Sequence, residues 1–307
     1  MVSLRMARVL VSGASGFIGS ALLPALKNTG AQIVRLSRSG SPTPAHDEQM
    51  IPWNPAQQLA AEAVSGFDAV IHLAGESIAG RWSEEKKKKI RESRVIGTRN
   101  LAQALAQAKR KPQVFISGSA IGYYGDRADE VLNESSPPGH GFLADVCREW
   151  EAATQPAIDT GIQTVHIRTG IVLSAKGGAL AKMLTPFRLG VGGRVGSGRQ
   201  WMSWIDLQDM VGAIHHILKS DLVHGPVNMV APKPVTNAEF AKTLAGVLSR
   251  PAIFPMPAFA VKLAFGEMGK ALLLGSQRVE PKKLVTGGYP FRFKTLRDSL
   301  ESILQES

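Results

Sequence analysis

The sequence predicts an α/β fold, a doubly wound parallel sheet with a smaller C-terminal substrate lobe. Three observations predict it. Apolar strands alternate with amphipathic helices through the first half of the 307 residues, a glycine-rich turn follows the first strand, and proline- and glycine-rich segments replace this alternation afterwards. Alternating strands and helices form right-handed crossovers, which make the strands parallel and place helices on both faces of the sheet.

The first predicted strand runs into a turn with three glycines. Gly13, Gly16 and Gly19 follow the apolar run Val9–Val11. Gly13 allows a tight turn, Gly16 lets the backbone approach a phosphate, and Gly19 lets the next helix pack against the sheet. Free N–H groups at a helix start attract anions, so the pattern indicates a Rossmann-type dinucleotide site, with a ligand-free glycine turn as the alternative. The residues assigned to the cofactor here are Gly13, Ser15, Gly16, Phe17, Ile18 and Gly19.

The second predicted strand, Gln32–Ser39, indicates which dinucleotide binds. A site for NAD usually places a carboxylate about 20 residues after the glycines, where it accepts hydrogen bonds from the ribose 2′-OH. Asp and Glu are absent between Leu10 and His46, and the strand ends in Ser37 and Arg38 instead. A guanidinium and a hydroxyl suit a 2′-phosphate. The sequence therefore predicts NADP(H), unless Arg38 is a plain surface arginine.

The later elements follow in the order that this fold requires. A short strand over Met50–Trp53 comes after a proline-rich link, Ser41–Pro44. The other predicted strands are Phe67–Gly75, Gln113–Ser117 and Thr164–Arg168, and the predicted helices are Ser83–Ala108, Phe142–Ala157 and Asp209–Lys219. Because ligands bind beyond the carboxyl ends of the strands in such sheets, the loops after these strands are expected to form the site.

The pattern changes after Lys176. Glycines crowd the stretch from Gly177 to Gly198, which predicts an irregular segment over the cofactor cleft, with a flexible linker as the alternative. The apolar residues Phe187 and Trp204 favour packing over a linker. We expect a cofactor-binding domain over residues 1–173 and 204–230, and a smaller substrate or lid lobe over residues 174–203 and 231–307.

The formal net charge of +11 raises the question of a nucleic-acid partner. The densest basic run, Lys86–Lys89, lies in a predicted helix whose apolar stripe is expected to be buried, so most of these lysines are expected to face solvent. The chain has three tyrosines and lacks a repeated basic-aromatic pattern. A solvated face is therefore favoured over a nucleic-acid site.

Membranes, disulfides and metals are not expected either. No apolar stretch approaches the roughly 20 residues of a membrane span, and the residues before the first strand leave no room for a signal peptide. Cys147 is the single cysteine, which fits a reducing compartment, so the cytoplasm is expected. His215 and His216 are interpreted as a helix-surface pair, because no further metal-binding cluster accompanies them.

Several motifs together resemble the short-chain dehydrogenase/reductase superfamily in its extended, epimerase/dehydratase-like form. They are Ser12–Gly19, Ile71–Glu76, Ile96–Leu101 and Ile116–Ala120. Further motifs are similar to the branch called epimerase family proteins, namely Gly122–Gly125, Cys147–Glu151, Met183–Gly190, Val195–Gly198 and Leu274–Pro281. The resemblance covers essentially the whole chain. It implies an NAD(P) cofactor and a homodimer, which is common in the superfamily.

The resemblance also implies further cofactor residues. The implied positions are Ser37 and Arg38 for the 2′-phosphate, Leu73, Ala74 and Gly75 for the adenine and ribose side, Arg94 and Arg99 for contacts from the next helix, and Val172 near the nicotinamide. From the residues alone, Arg94 and Arg99 are equally consistent with surface arginines on a helix.

The catalytic pattern of the superfamily is missing from this chain. Its Tyr-x-x-x-Lys pair lies on one helix, where the lysine lowers the pKa of the tyrosine so that it exchanges a proton with substrate. Glu151 fixes the register and places Leu143 at the tyrosine position and Cys147 at the lysine position. The hydroxyls that remain are Ser119 or Ser117 after the fifth strand and Tyr123 or Tyr124 in the next loop, of which we assign Ser119 and Tyr124 as catalytic candidates. Loop packing is the alternative explanation for the tyrosines.

Two functions are consistent with the sequence. The first is an NADP-dependent oxidoreductase of atypical mechanism, in which the nicotinamide carries the hydride and the protein positions a small-molecule substrate. The second is a non-catalytic protein that senses NADP(H) and acts through a protein partner, as in cell division. The glycine cleft favours the first function, and the missing Tyr and Lys favour the second.

Overall fold

The computed structural model describes residues 7–38 and 49–305. The lead into the first strand (residues 1–6), Ser39 and the proline-rich link Ser41–Pro44 lie outside the described residues.

The strands of the described residues are, in chain order, β1 Arg8–Ser12, β2 Gln32–Ser37, β3 Gln49–Pro52, β4 Ala69–His72, β5 Val114–Ala120, β6 Val131–Leu132, β7 Gln163–Thr169, β8 Ile171–Ser174, β9 Trp201–Met202, β10 Trp204–Asp206, β11 Gly225–Met229, β12 Val235–Thr236 and β13 Arg278–Val279. Seven of them form one parallel sheet in the spatial order β3-β2-β1-β4-β5-β7-β11. The strand order reverses between β1 and β4, so a crevice opens there at the carboxyl ends of the strands. The predicted doubly wound α/β fold is confirmed.

Helices cover both faces of this sheet. They are α1 Phe17–Lys27, α2 Glu84–Gln107, α3 Phe142–Ala152, α4 Gln155–Ile158, α5 Gly178–Arg188, α6 Leu207–Leu218, α7 Asn237–Val247, α8 Ala258–Leu272, α9 Lys282–Thr286 and α10 Leu296–Gln305. One apolar core joins the sheet to α1 and α6, for example through Leu22 and Ile214. A second core joins the other face to α2 through Leu101 and Leu105. The strands are thus buried on both faces, as a parallel sheet requires.

The lysine run on α2 is paired rather than simply solvated. Ser83 caps this helix by accepting a hydrogen bond from the N–H of Lys86. Lys86 Nζ lies 2.6 Å from a carboxylate oxygen of Glu76, and Lys87 Nζ lies 3.1 Å from one of Glu267 on α8. Lys88 and Lys89 face Glu92 and Glu85 one helical turn away. Because each lysine has a carboxylate neighbour, the run presents less net charge than its sequence suggests.

Two elements differ from the sequence prediction. The helix expected over residues 142–157 is interrupted near Ala153 and Thr154, so α3 and α4 are separate. The glycine-rich stretch expected to be irregular contains α5, in which Leu180, Leu184 and Phe187 are buried. These three residues have the i, i+4, i+7 spacing of a helix face, which the flanking glycines obscured. Gly178 needs its glycine, since its φ is +71°.

A further apolar cluster lies away from the sheet. It unites residues of α5, β10, α7 and α10, among them Leu184, Trp204, Phe240 and Leu300. Short strand pairs surround it, β8 with β10 and β9 with β12. The proposed division into two lobes stays a prediction. Among the helices of the described residues, none combines the length and apolar character that a membrane crossing requires.

Candidate functional site

The glycine turn after β1 is shaped by close backbone contacts. Gly13 has φ +71°, and a Cβ atom on it would lie 2.6 Å from the carbonyl carbon of Leu73. A Cβ on Gly19 would lie 2.2 Å from the carbonyl oxygen of Gly13. Gly19 therefore allows α1 to approach the turn itself, in addition to the packing of α1 on the sheet. Gly16 differs from both, because its φ of −74° suits any residue and its Cβ would lie 3.1 Å from Gly13 O.

The start of α1 has the properties of an anion site. No side chain caps this helix, and its first turn carries no acidic residue. The exposed residues Ser15 and Gly16 lead into the half-buried Phe17 and Ile18. The first N–H groups of a helix lack partners within it and carry partial positive charge. The residues present therefore fit a pyrophosphate.

Beneath the turn, His72 and Ser12 join the carboxyl ends of β4 and β1. His72 Nδ1 lies 2.5 Å from Ser12 Oγ, and both residues are buried. Burial lowers the pKa of His72 from its ordinary 6.5 to about 4, so the ring is neutral at physiological pH. The next residues of the loop, Leu73 and Ala74, lie directly against Gly13. The structure thus brings the two predicted cofactor segments together.

The end of β2 presents the predicted 2′-phosphate residues. Ser37 is half-buried and Arg38 is exposed. The pKa of the nearby Glu76 carboxyl is lowered, first by its hydrogen bond from Lys86 and in smaller part by the charge of Arg38. Arg38 therefore lies near the loop after β4, on the same side of the cleft. Position 37, where an NAD site would place a carboxylate, is a serine.

Arg94 lies inside the cleft. Its Nη1 donates hydrogen bonds to the carbonyl oxygens of Glu76 and Ile90, at 2.9 and 3.1 Å. Its guanidinium lies 5.1 Å from the Trp150 ring and within 3.5 Å of the position of a Cβ on Gly75. Burial lowers its pKa. No carboxylate within the described residues forms an ion pair with Arg94, so a half-buried cation faces the cleft with its other N–H groups available.

The structure does not bring Arg99 to the same place. Five residues along a helix correspond to a rotation of about 140°, and Arg99 is exposed while Arg94 is half-buried. Arg199, which follows the glycine-rich stretch, is also exposed. Val172 by contrast is buried in the core that contains Phe17, and the ring of Phe17 packs against Gly177 and Gly178. The start of α5 therefore adjoins the glycine turn.

An apolar cluster occupies the position at which the superfamily has its tyrosine. Leu143 packs in it with Trp82, Phe142, Phe265 and Leu272. One turn further along α3, Cys147 is 3% exposed, and burial raises the pKa of its thiol to about 12. A neutral thiol and a leucine cannot exchange a proton as the Tyr–Lys pair does. The usual acid is thus absent from this site.

The two catalytic candidates, Ser119 and Tyr124, belong to a buried polar network. Ser119 Oγ donates to a carboxylate oxygen of Glu151 at 2.7 Å, and Arg168 donates to both oxygens of that carboxylate at 2.8 Å. Arg168 Nη1 also donates to the hydroxyl of Tyr124 at 3.0 Å. Burial alone would lower the pKa of Arg168, but the hydrogen bonds and charge of Glu151 outweigh it and raise that pKa.

Tyr124 connects this network to Asn228 on β11. Its side chain is fully buried, and its hydroxyl donates to Asn228 Oδ1 at 2.7 Å. Burial raises its pKa to about 12. A hydroxyl held in this way has no direct path to a substrate, so the geometry does not favour Tyr124 as a proton donor. Ser119 is also buried, at 4% exposure, and its oxygen retains lone pairs after donating to Glu151; its catalytic role stays a prediction.

Sequence reasoning missed two parts of the site. Arg168 is a cation inside the apolar strand β7, and a charge at such a position was a usable signal for a buried partner. Lys27 and Arg35 line a shallow cavity of about 250 Å³ with Ser15 and Ser20. Their closeness depends on how α1 packs on β2, which no local pattern shows. Of the metal-binding side chains within residues 7–38 and 49–305, no three come together as a metal site.

Comparison with known proteins decides the family. A profile of the NAD dependent epimerase/dehydratase family matches residues 9–229. The chain belongs to this family. A second profile, a domain of unknown function (DUF1731), matches residues 256–303. The epimerase family protein MT2273 of Mycobacterium tuberculosis is 41% identical over 294 residues, which are 95% of this chain and 96% of that protein.

Solved structures of epimerase family proteins have the same fold. The human epimerase family protein SDR39U1 (isoform 2), crystallised with NADPH, is 36% identical with a TM-score of 0.89, covering 98% of this chain and 100% of that chain. A nucleoside-diphosphate sugar epimerase from Corynebacterium glutamicum is 34% identical with a TM-score of 0.81. That match covers 99% of this chain and 59% of the other. The Rossmann-type prediction and the resemblance to epimerase family proteins are confirmed.

Proposed function

We propose that this family member binds NADP(H) at the carboxyl ends of β1, β2 and β4 and acts as an oxidoreductase that does not use a Tyr–Lys pair. One observation carries the cofactor proposal: the uncapped start of α1 and Arg38 lie at one crevice, without a carboxylate at position 37. The human SDR39U1 structure with NADPH supports the same cofactor.

The residues of the turn hold the phosphates in this proposal. The N–H groups of Phe17, Ile18 and Gly19 receive the pyrophosphate, and Ser37 and Arg38 receive the 2′-phosphate. Leu73–Gly75 line the adenosine side, and Arg94 contacts the far half of the cofactor near Leu143 and Cys147. Val172 and Phe17 supply apolar surface beside the start of α5.

Ser119 and Glu151 are the groups that move a proton. The nicotinamide, when bound, supplies or accepts the hydride. Because Ser119 donates its own proton to Glu151, its oxygen lone pairs are free to accept a hydrogen bond from a substrate hydroxyl. A proton can then pass from that hydroxyl through Ser119 toward Glu151, or in the reverse direction. Arg168 positions the Glu151 carboxylate and ties it to Tyr124.

A non-catalytic sensor of NADP(H) is the second candidate function. The observation that favours it is the apolar cluster around Leu143 together with the buried hydroxyl of Tyr124. A protein whose cleft lacks an exposed acid can still bind the cofactor and pass the bound state to a partner.

A substrate screen distinguishes the two functions. Purified protein with NADPH is tested against carbonyl compounds and nucleotide sugars while nicotinamide absorbance is followed. For an oxidoreductase, Ser119→Ala lowers turnover by about 10²–10⁴, the usual contribution of a general acid or base, whereas Cys147→Ala stays within a few-fold of the parent. Tyr124→Phe lowers stability with a smaller effect on turnover. Tight NADPH binding without turnover on any substrate supports the sensor instead.

A further inference from the structure

Two segments in the second half of the chain expose large apolar side chains. The segments are residues 188–196 and 250–263. Among their exposed apolar side chains are Leu189, Val191, Ile253, Phe254, Phe259 and Leu263. We call these six residues the apolar ridge. Exposed apolar side chains are normal when scattered, but a contiguous set marks a surface that contacts an apolar partner.

The two segments are joined by hydrogen bonds. The N–H of Met256 donates to the carbonyl of Arg194 at 2.9 Å, and the N–H of Gly196 donates to the carbonyl of Met256 at 2.8 Å. Arg250 Nε donates to the carbonyl of Arg188 at 3.0 Å. Phe259 and Leu263 lie four residues apart on α8 and so share a helix face. The two segments therefore lie next to each other, which places their exposed apolar side chains in one region of the surface.

Cations surround the ridge without any carboxylate in the same segments. Residues 160–205 and 240–266 contain no Asp or Glu. Arg188, Arg194, Arg250 and Lys262 are exposed, and no ion pair is present for any of them within the described residues. Beside the ridge, Arg194, Lys242 and Arg250 line a cavity of about 580 Å³. The Arg194 guanidinium is held in place by the carbonyl of Ser197 at 2.7 Å.

We propose that this ridge binds the surface of an anionic lipid membrane. Its apolar side chains enter the boundary between headgroups and acyl chains, and the surrounding cations hold lipid phosphates, with one headgroup in the cavity beside Arg194. Interfacial binding combines these two contributions and needs no spanning helix. The sequence analysis expects no membrane partner, because no apolar stretch is long enough to span a bilayer; the proposal departs from that expectation, since surface binding needs no such stretch.

The cations and aliphatic side chains of this surface distinguish an anionic membrane from two other partners, a second copy of the chain and a nucleic acid. In a symmetric dimer formed through the ridge, each patch meets its own copy, so four cations would face four cations without a carboxylate to pair them. A nucleic acid would satisfy the cations but not Leu189, Val191 and Leu263, because aliphatic side chains offer no stacking surface for bases. Anionic lipid satisfies both the charged and the aliphatic side chains.

Vesicle sedimentation tests the proposal on the full chain. We expect binding to phosphatidylcholine vesicles that contain about 30% of the anionic lipid phosphatidylglycerol. Binding to pure phosphatidylcholine should be weak, and high salt should abolish binding to the anionic vesicles. Phe259→Ser with Leu263→Ser should lower the partition coefficient at least about tenfold. Lys262→Glu should lower it about fivefold or more. These side chains are exposed, so circular dichroism and thermal melting should show unchanged folding.

Matched controls outside the two segments sharpen the test. Leu222→Ser removes an 88% exposed leucine between α6 and β11, and Lys88→Glu reverses an exposed charge on α2. Both controls should bind vesicles as the parent does. The proposal is overturned if the parent does not bind anionic vesicles, or if the controls lose as much binding as the ridge variants. It is also overturned if the ridge forms a dimer or retains DNA or an acidic protein while vesicles stay unbound.

Discussion

At the residue scale, the three glycines of the turn are required for different reasons. Gly13 and Gly19 are required by the protein's own backbone, because a Cβ on either would lie within 2.8 Å of backbone atoms. Gly16 has an ordinary φ and a Cβ would meet one backbone oxygen at 3.1 Å, so its side chain is limited mainly by what binds above it. The sequence assigned a separate role to each glycine, and the distances show which of them the backbone itself requires.

Substitution of Gly16 should therefore separate binding from folding. Gly16→Ala should melt within a few degrees of the parent yet lose most NADPH affinity, since the methyl group occupies space that the pyrophosphate needs. Gly19→Ala is the control for a structural glycine, and it should lower the free energy of unfolding by several kcal/mol, on the order of a strained or overpacked core substitution. Thermal melting and NADPH fluorescence titration measure the two effects. Unchanged NADPH affinity in folded Gly16→Ala would contradict the phosphate role of the turn.

Substitution of Arg94 tests whether this residue contacts the nicotinamide half of the cofactor. Arg94→Gln should weaken NADPH about tenfold or more, because hydrogen bonds from a charged group contribute about 1.5–3 kcal/mol. The same variant should bind 2′,5′-ADP as the parent does, since that fragment lacks the nicotinamide half. Arg99→Gln, on the exposed face of the same helix, is the matched control and should leave both affinities unchanged. Equal loss of both ligands in Arg94→Gln would point to a general structural role instead.

At the element scale, sequence periodicity predicted most of the sheet and helices. The strands β1, β2, β4, β5 and β7 lie where their apolar runs indicated, and α2 begins directly after Ser83, the predicted start of that helix. The helix α5 was missed because a high density of glycines hid the spacing of Leu180, Leu184 and Phe187. The network from Ser119 to Asn228 was also missed, since it joins β5, α3, β7 and β11, which are far apart in sequence. Local patterns carry no information on such contacts.

The contact between β1 and β4 should make stability depend on pH. His72 is buried with its pKa lowered to about 4, so the unfolded chain binds a proton that the folded chain does not between that value and 6.5. Stability should therefore rise with pH across this window and be lost as the pH falls from 6.5 toward 4, by up to about 3 kcal/mol at 1.36 kcal/mol per pKa unit. Urea unfolding at pH 4.5 and 7 measures the difference.

The variant His72→Gln removes this titration and serves as the control. Its unfolding free energy should change less between the two pH values, with the remaining slope due to other groups such as the buried His166, whose pKa burial also lowers. An identical pH dependence in the parent and in His72→Gln would show that His72 is not the group responsible.

At the scale of the whole molecule, the proposed function depends on separate features that meet at one crevice. The glycine turn, the end of β2 and the cation Arg94 converge there, while the tyrosine position is enclosed by apolar side chains. The lysine run is paired with glutamates, whereas Arg188, Arg194, Arg250 and Lys262 beside the apolar ridge form no ion pair within the described residues. Net charge alone showed neither of these arrangements.

The central claim is that this cleft selects NADP(H) through Arg38, and a direct titration tests it. Calorimetric titration of the parent should show NADPH binding about tenfold or more tightly than NADH, the contribution expected of charged hydrogen bonds to a 2′-phosphate. Arg38→Ala should abolish this preference and leave the affinity for NADH nearly unchanged. Equal affinities of the parent for NADPH and NADH, or a preference that survives in Arg38→Ala, would contradict the account.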